Sequence, residues 1–197
     1  MKVAAKENPR SRQEELGQFL TATPVADFMA SFSQPSRGAN HRTPKERWAR
    51  LVKAIIEVFC AHWTPGATML GVRDSKRNAV HLDAGAMATL GVTLDSAAKI
   101  PDVIVHDKNR NWLLLIEAVT SAGPVDGKRR KELKDLFAGC KAGLVFITAF
   151  ENRRTMQTFV SHIAWESEVW IAEDPDHMIH FNGERFLGTY PDVMPRK

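Results

Sequence analysis

The chain is short of the features on which several classes of function depend. It has two cysteines, Cys60 and Cys140, far apart and in no C-x-x-C pair. That excludes a disulfide framework and dithiol redox chemistry, and predicts reduced, buried thiols. Zinc would need more ligands at metal spacing than these two and scattered histidines supply. No apolar run is long enough to cross a bilayer. Lys2, Lys6, Arg10 and Arg12 are not followed by the apolar core of a secretory signal. A soluble, cytoplasmic protein with no membrane partner is expected. The strings G-x-S-x-G and G-x-x-x-x-G-K-[ST] are absent, so neither a hydrolase elbow nor a P-loop has support. There is no internal repeat and no low-complexity tract.

What is present suits one well-filled α/β core with an appendage. The 197 residues are 44% hydrophobic and 25% charged, and the formal net charge is +4. This mild basicity permits a polyanionic partner without demanding one. Residues 1–42 read as a short helical arm and linker, with helices over Glu14–Leu20 and Val25–Phe32. The main domain is residues 43–197. Thr43-Pro44-Lys45-Glu46 is a helix start with a Thr cap, proline at the first position and glutamate three residues on. Trp48, Leu51, Val52, Ile55, Ile56 and Phe59 continue it as one apolar stripe. Glu57 falls opposite that stripe and reads as solvated.

Strands are predicted at Ala67–Val72 and Ala79–Leu82 around a polar turn that begins at Arg73, then a short helix at Asp83–Leu90. A helix opens at Asp126 or Gly127 and buries Leu133, Leu136, Phe137 and Cys140. Gly143–Phe150 is a buried strand. Met156, Phe159, Val160 and Ile163 predict another amphipathic helix, and Glu168–Ala172 and Met178–Phe181 are closing strands. The five tryptophans lie in periodic segments and read as core.

The chemistry concentrates between Lys99 and Arg130. Val103–Val105 and Trp112–Ile116 flank the polar cluster Asp107–Asn111, which predicts a β-hairpin. A turn centred on Asn109-Arg110 couples His106 with Leu113, Ile104 with Leu115, and Asp102 with Glu117. The last two are then opposed carboxylates roughly 5 Å apart at Cβ. Like charges destabilise such a pair, and burial adds to the cost. Either one acid holds a proton, or a cation such as Mg²⁺ sits between them, or one acid lies at the sheet edge in water. His106 and Asp107 fall at the turn, roughly 13 Å along the strand from Asp102, and read as solvated turn residues.

The order Pro101-Asp102, strand, turn, Glu117 resembles the PD-(D/E)XK nuclease site. The string Ile116-Glu-Ala-Val-Thr-Ser-Ala-Gly-Pro124, with Lys128-Arg129 after it, is similar to the BsuBI/PstI-type restriction endonucleases. So are Gly143–Phe150 and His180–Leu187. The resemblance implies a restriction-endonuclease-like mixed sheet flanked by helices, with an α-β-β-β-α-β core. It implies a Mg²⁺-dependent type II-like endodeoxyribonuclease acting on double-stranded DNA, a homodimer, and a cognate DNA methyltransferase in the same system. Asp102, Glu117 and the main-chain carbonyl of Ala118 would hold the metal. Val119 stands where the wider pattern has lysine, so another cation must serve. Lys128 and Arg129 are the candidates, Arg129 on the buried side of its helix and Lys128 well round it. Lysine chemistry favours Lys128. Arg130, Lys131 and Lys134 on the same helix, and Arg73, Lys76 and Arg77 from a loop, would contact the DNA backbone. The rivals are a non-cleaving DNA-binding relative and, less compatible with the basic run, a two-carboxylate glycosidase.

Overall fold

The structure, a computed structural model, describes residues 43–74, 79–95 and 98–182, with residues 74 and 79 described in backbone only. The predicted arm helices, Lys76 and Arg77 lie outside the described residues. Helix α1 (Pro44–Ala54) starts as its sequence requires. The Thr43 hydroxyl accepts from the Glu46 N–H at 3.2 Å, and the Glu46 carboxylate accepts from the Thr43 N–H at 2.8 Å. A π-helical turn, Ile55–Phe59, leads into α2 (Cys60–Trp63). The wider turn keeps Ile55, Ile56, Phe59 and Cys60 all buried. Glu57 points off this face and pairs with Lys53.

Seven strands form one sheet in the order β2-β1-β3-β4-β5-β6-β7. They are β1 (Thr68–Asp74), β2 (Ala79–Leu82), β3 (Val103–Asp107), β4 (Trp112–Val119), β5 (Gly143–Phe150), β6 (Ser167–Ile171) and β7 (Met178–Phe181). The β3–β4 hairpin has the register read from the sequence, with His106 opposite Leu113, Ile104 opposite Leu115 and Val103 opposite Ile116. Pairings β4–β5 and β5–β6 are parallel; the others are antiparallel. The first parallel pair requires a crossover, which α4 (Gly127–Leu136) supplies.

Alternation along the hairpin sends its residues into two cores. Val103, Val105, Leu114 and Ile116 pack with Leu51, Val52, Ile55 and Phe59 of the first helical layer. Ile104, Leu113 and Leu115 pack with Met87, Leu133 and Phe137. Met87 belongs to α3 (Ala84–Thr89), which Asp83 caps through the Ala86 N–H. Gly91, at φ 83°, lies against Gly139; a Cβ on either would come within 2.6 Å of the other's carbonyl oxygen. That close approach joins the ends of α3 and α4.

Several readings are corrected. Strand β1 runs through Arg73, which is therefore a strand residue and not part of the turn. Residues Met156 to Ile163 form no continuous helix. Asn152 caps the short α5 (Arg153–Gln157), and a 3₁₀ turn follows at Val160–His162. Thr155, Thr158, Val160 and Ser161 favour helix weakly, and the chain must turn at once into β6. Asp107 is buried and accepts from the Asn109 and Arg110 N–H groups, so it braces the hairpin turn. Trp170 is fully buried, but Trp112 and Trp165 are 43% and 70% exposed. Cys60 is a buried free thiol, pushed up to about 12 by its apolar surroundings, and Cys140 is a half-buried free thiol.

Candidate active site

Asp102 is the residue immediately before β3, one step past the last hairpin pair, so the register extends to bring it beside Glu117. It is 6% exposed. Its Oδ2 accepts from the Ala118 N–H at 2.8 Å, its Oδ1 lies 3.5 Å from Arg73 Nε, and the Trp48 indole stands beside it. Helix α1 thus reaches the site through Trp48, a residue that its periodicity marked only as core.

The two carboxyl groups interact, and both are raised above their ordinary values. Burial is the main cause. It raises the Asp102 carboxyl above its ordinary value, against the pull of the Ala118 N–H and of Arg73. Burial followed by the Asp102 charge pushes Glu117 up to about 7, despite Arg129. Both groups are lodged where their charges are poorly solvated and repel each other. Of the alternatives open in the sequence, an acid left in water at the sheet edge is ruled out by this burial.

The guanidinium beside Glu117 comes from α4. Asp126 caps the helix by accepting from the Arg129 N–H at 2.6 Å. Arg129 then donates from Nε and Nη2 to Glu117 Oε1 at 2.9 and 2.6 Å, and from Nη2 to the Lys99 carbonyl at 2.9 Å. Lys128, the preferred candidate, stands apart from the acids: its side chain is 86% exposed and faces Glu132 at 3.9 Å, whereas that of Arg129 is 18% exposed. Lys128 begins the helix on the solvent side, and the next residue is turned by about 100° onto the sheet. Val119 is buried against Phe150 and Val169, so a lysine there would place its charge in an apolar cluster.

The loop between β4 and α4 is anchored from beneath. Thr148, fully buried and paired with Glu117 across β4–β5, accepts from the Val125 N–H at 3.0 Å through its hydroxyl. Neither Thr148 nor Lys99 was singled out by sequence pattern. A cleft of about 500 Å³ opens over Glu117, lined among others by Arg73, Lys99, Lys128 and Arg129, with Asp102 buried behind it. A second cavity, of about 370 Å³ and lined by Phe59, Trp63 and Trp112 among others, lies by the hairpin-turn end of β4, away from the acids.

Other predicted cations are placed elsewhere. Arg130 pairs with Glu166 at 2.5 Å and lies over the Phe146 ring, bracing α4 to the segment before β6. Lys131 pairs with Asp135 at 2.6 Å on the outer face of α4, where Lys134 is also exposed.

Among the described residues no three His, Cys, Asp or Glu side chains form a metal-binding group. Two neighbouring carboxyl groups, one of them lining a polar cleft, do fit a hard cation that keeps water or phosphate oxygens as its remaining ligands, as Mg²⁺ does.

The chain is similar to known restriction endonucleases. A family model described as the BsuBI/PstI restriction endonuclease domain matches residues 11–184. The chain is 48% identical to the type II restriction enzyme BsuBI of Bacillus subtilis over 148 residues, 75% of this chain and 46% of that protein. It is 29% identical to the type II restriction enzyme AplI of Arthrospira platensis over 143 residues, 70% of this chain and 44% of that one. The solved structure of the SdaI restriction endonuclease superposes with a TM-score of 0.68 at 44% identity, over 73% of this chain and 46% of SdaI. The chain therefore spans about half the length of the relatives it matches.

Proposed function

The chain belongs to the BsuBI/PstI restriction endonuclease domain family, and from that premise we propose that it is a Mg²⁺-dependent, type II-like endodeoxyribonuclease hydrolysing phosphodiester bonds in double-stranded DNA. The observation that carries this reading is the buried Asp102–Glu117 pair with Arg129 held on it, in a cleft lined by four cations.

Asp102, Glu117 and the Ala118 carbonyl would hold the metal. Bound there, a divalent ion supplies Lewis acidity toward the scissile phosphate and acidifies attacking water. The chain's own groups do the rest. The Ala118 N–H fixes the Asp102 carboxylate. Arg129 takes the part of the absent lysine: released from Glu117 as the cleft fills, its fork matches the phosphate oxygens and balances their growing charge. Lys128, at the rim of the same cleft, adds attraction for the DNA backbone, as do Lys131 and Lys134. A homodimer, a partner methyltransferase and a cytoplasmic location complete the proposal. No helix among the described residues is long and apolar enough to cross a membrane.

Val119 favours the second reading, a non-cleaving DNA-binding relative, because the usual lysine is missing; the Arg129–Glu117 pair argues for the active one. A glycosidase is disfavoured, since both of its carboxyl groups would have to reach a sugar bond, whereas Asp102 is buried and Glu117 is held by Arg129. Incubating supercoiled plasmid with the protein, with Mg²⁺ or with EDTA, tests the proposal. Mg²⁺-dependent linear products that Asp102→Asn and Glu117→Gln abolish are expected. DNA binding without cleavage would leave the non-cleaving reading in its place.

A further inference from the structure

Asp102 has to be held by something other than the hairpin, because the β3–β4 ladder ends at Val103 and Ile116. The Ala118 N–H fixes one of its oxygens, Oδ2. Everything else that reaches it from the β1 side is Arg73. The β1–β3 ladder ends with Val72 opposite Val103, and the Arg73 N–H adds one more bond, to the Asp102 carbonyl at 2.9 Å. The side chain then folds back over the same segment. Its Nη2 donates to the Ile100 carbonyl, and its Nε stands 3.5 Å from Asp102 Oδ1. That Nε is buried and makes no hydrogen bond of its own.

We propose that Arg73 is a positioning residue of the carboxylate site: it locks the Ile100–Asp102 segment and holds the Asp102 carboxyl beside Glu117, and does not grip the DNA backbone. The inference rests on the nuclease reading. The arrangement needs a guanidinium. One planar fork spans a carbonyl and a carboxylate held at fixed positions; a lysine ammonium keeps the charge but is a single point on a flexible stem. An arginine gripping DNA would have to leave these partners. Interactions that aim a reacting group are felt in the chemical step more than in ground-state binding.

Arg73→Lys and Arg73→Gln separate the two roles. DNA affinity is measured with Ca²⁺ across a salt series, cleavage under single turnover with Mg²⁺, and folding by thermal melts. The expected result is that Arg73→Lys binds DNA within about 3-fold of wild type and cuts at least about 10-fold more slowly. Arg73→Gln is expected to cut as slowly while keeping the wild-type salt slope. If Arg73→Gln does not fold, Arg73→Lys decides alone. Wild-type cleavage by Arg73→Lys overturns the inference. So does a salt slope lowered by about one in Arg73→Gln, the mark of one phosphate fewer neutralised. A wild-type chain that binds DNA with Ca²⁺ but cuts none with Mg²⁺ overturns the nuclease reading and this inference with it.

Discussion

Arg129 places two of its donors, Nε and Nη2, on a single oxygen of Glu117, twelve residues back along the chain. The contact joins the start of α4 to the end of β4 and leaves Lys128, its neighbour, in solvent. Arg129→Ala is therefore expected to lower the single-turnover cleavage rate by about 10²–10³, the range for removing one preorganised donor. Lys128→Ala should stay within about 3-fold of wild type, since its exposed charge is screened. Rate measurements on the two variants that came out in the opposite order would return the role to Lys128.

Stability should fall with pH in the metal-free protein. Glu117 is raised from 4.5 to about 7, chiefly by burial and then by Asp102. Between those values the folded chain keeps a proton that the unfolded chain has released, so raising the pH favours unfolding. From pH 5 to pH 8 the loss should be about 1–3 kcal/mol relative to Glu117→Gln. Urea titrations at both pH values measure it. Equal pH dependence in wild type and variant would count against the buried acid pair.

Trp48 makes the site spectroscopically visible. Its indole stands beside Asp102, so Tb³⁺ bound by the two carboxylates should be excited through it. Trp48→Phe should remove most of that sensitised emission while leaving Tb³⁺ affinity measurable by competition with Ca²⁺. Emission undiminished in Trp48→Phe would mean that the ion sits near another tryptophan.

Restoring the usual lysine should not help. Val119 is 1% exposed among Phe150, Val169 and Ile171. Val119→Lys would bury an unpaired ammonium and should cost about 3 kcal/mol or more, read as a lower melting temperature. A variant as stable as wild type and faster in cleavage would show that position 119 can turn to the cleft.

The outer face of α4 is where DNA affinity should be sought. Lys131 is paired with Asp135, but both side chains are well exposed, so phosphate can replace the carboxylate at little cost. Changing Lys131 and Lys134 to Gln should lower the salt slope of DNA binding by about one for each phosphate no longer neutralised. An unchanged slope would assign this face to solvent alone.

The sequence by itself determined the local elements and the pairing that makes the site. Alternating and continuous apolar runs located β3 and β4, and the turn residues between them set a register that carries Asp102 to Glu117. Thr43 and Asp126 announced the starts of α1 and α4 through caps that act within three residues. Tertiary structure decided which long side chains serve those acids. Arg73, Trp48 and Arg129 come from a neighbouring strand and two helices, and no periodicity records where a flexible side chain ends. It decided, too, that residues 156–163 break into short turns and that Trp165 faces water, because the path from β5 into a parallel β6 left no straight length for a helix. Caps and strand periods are short-range and can be read in order along a chain. A buried charge takes whichever partner folding brings within reach, and that depends on the whole sheet.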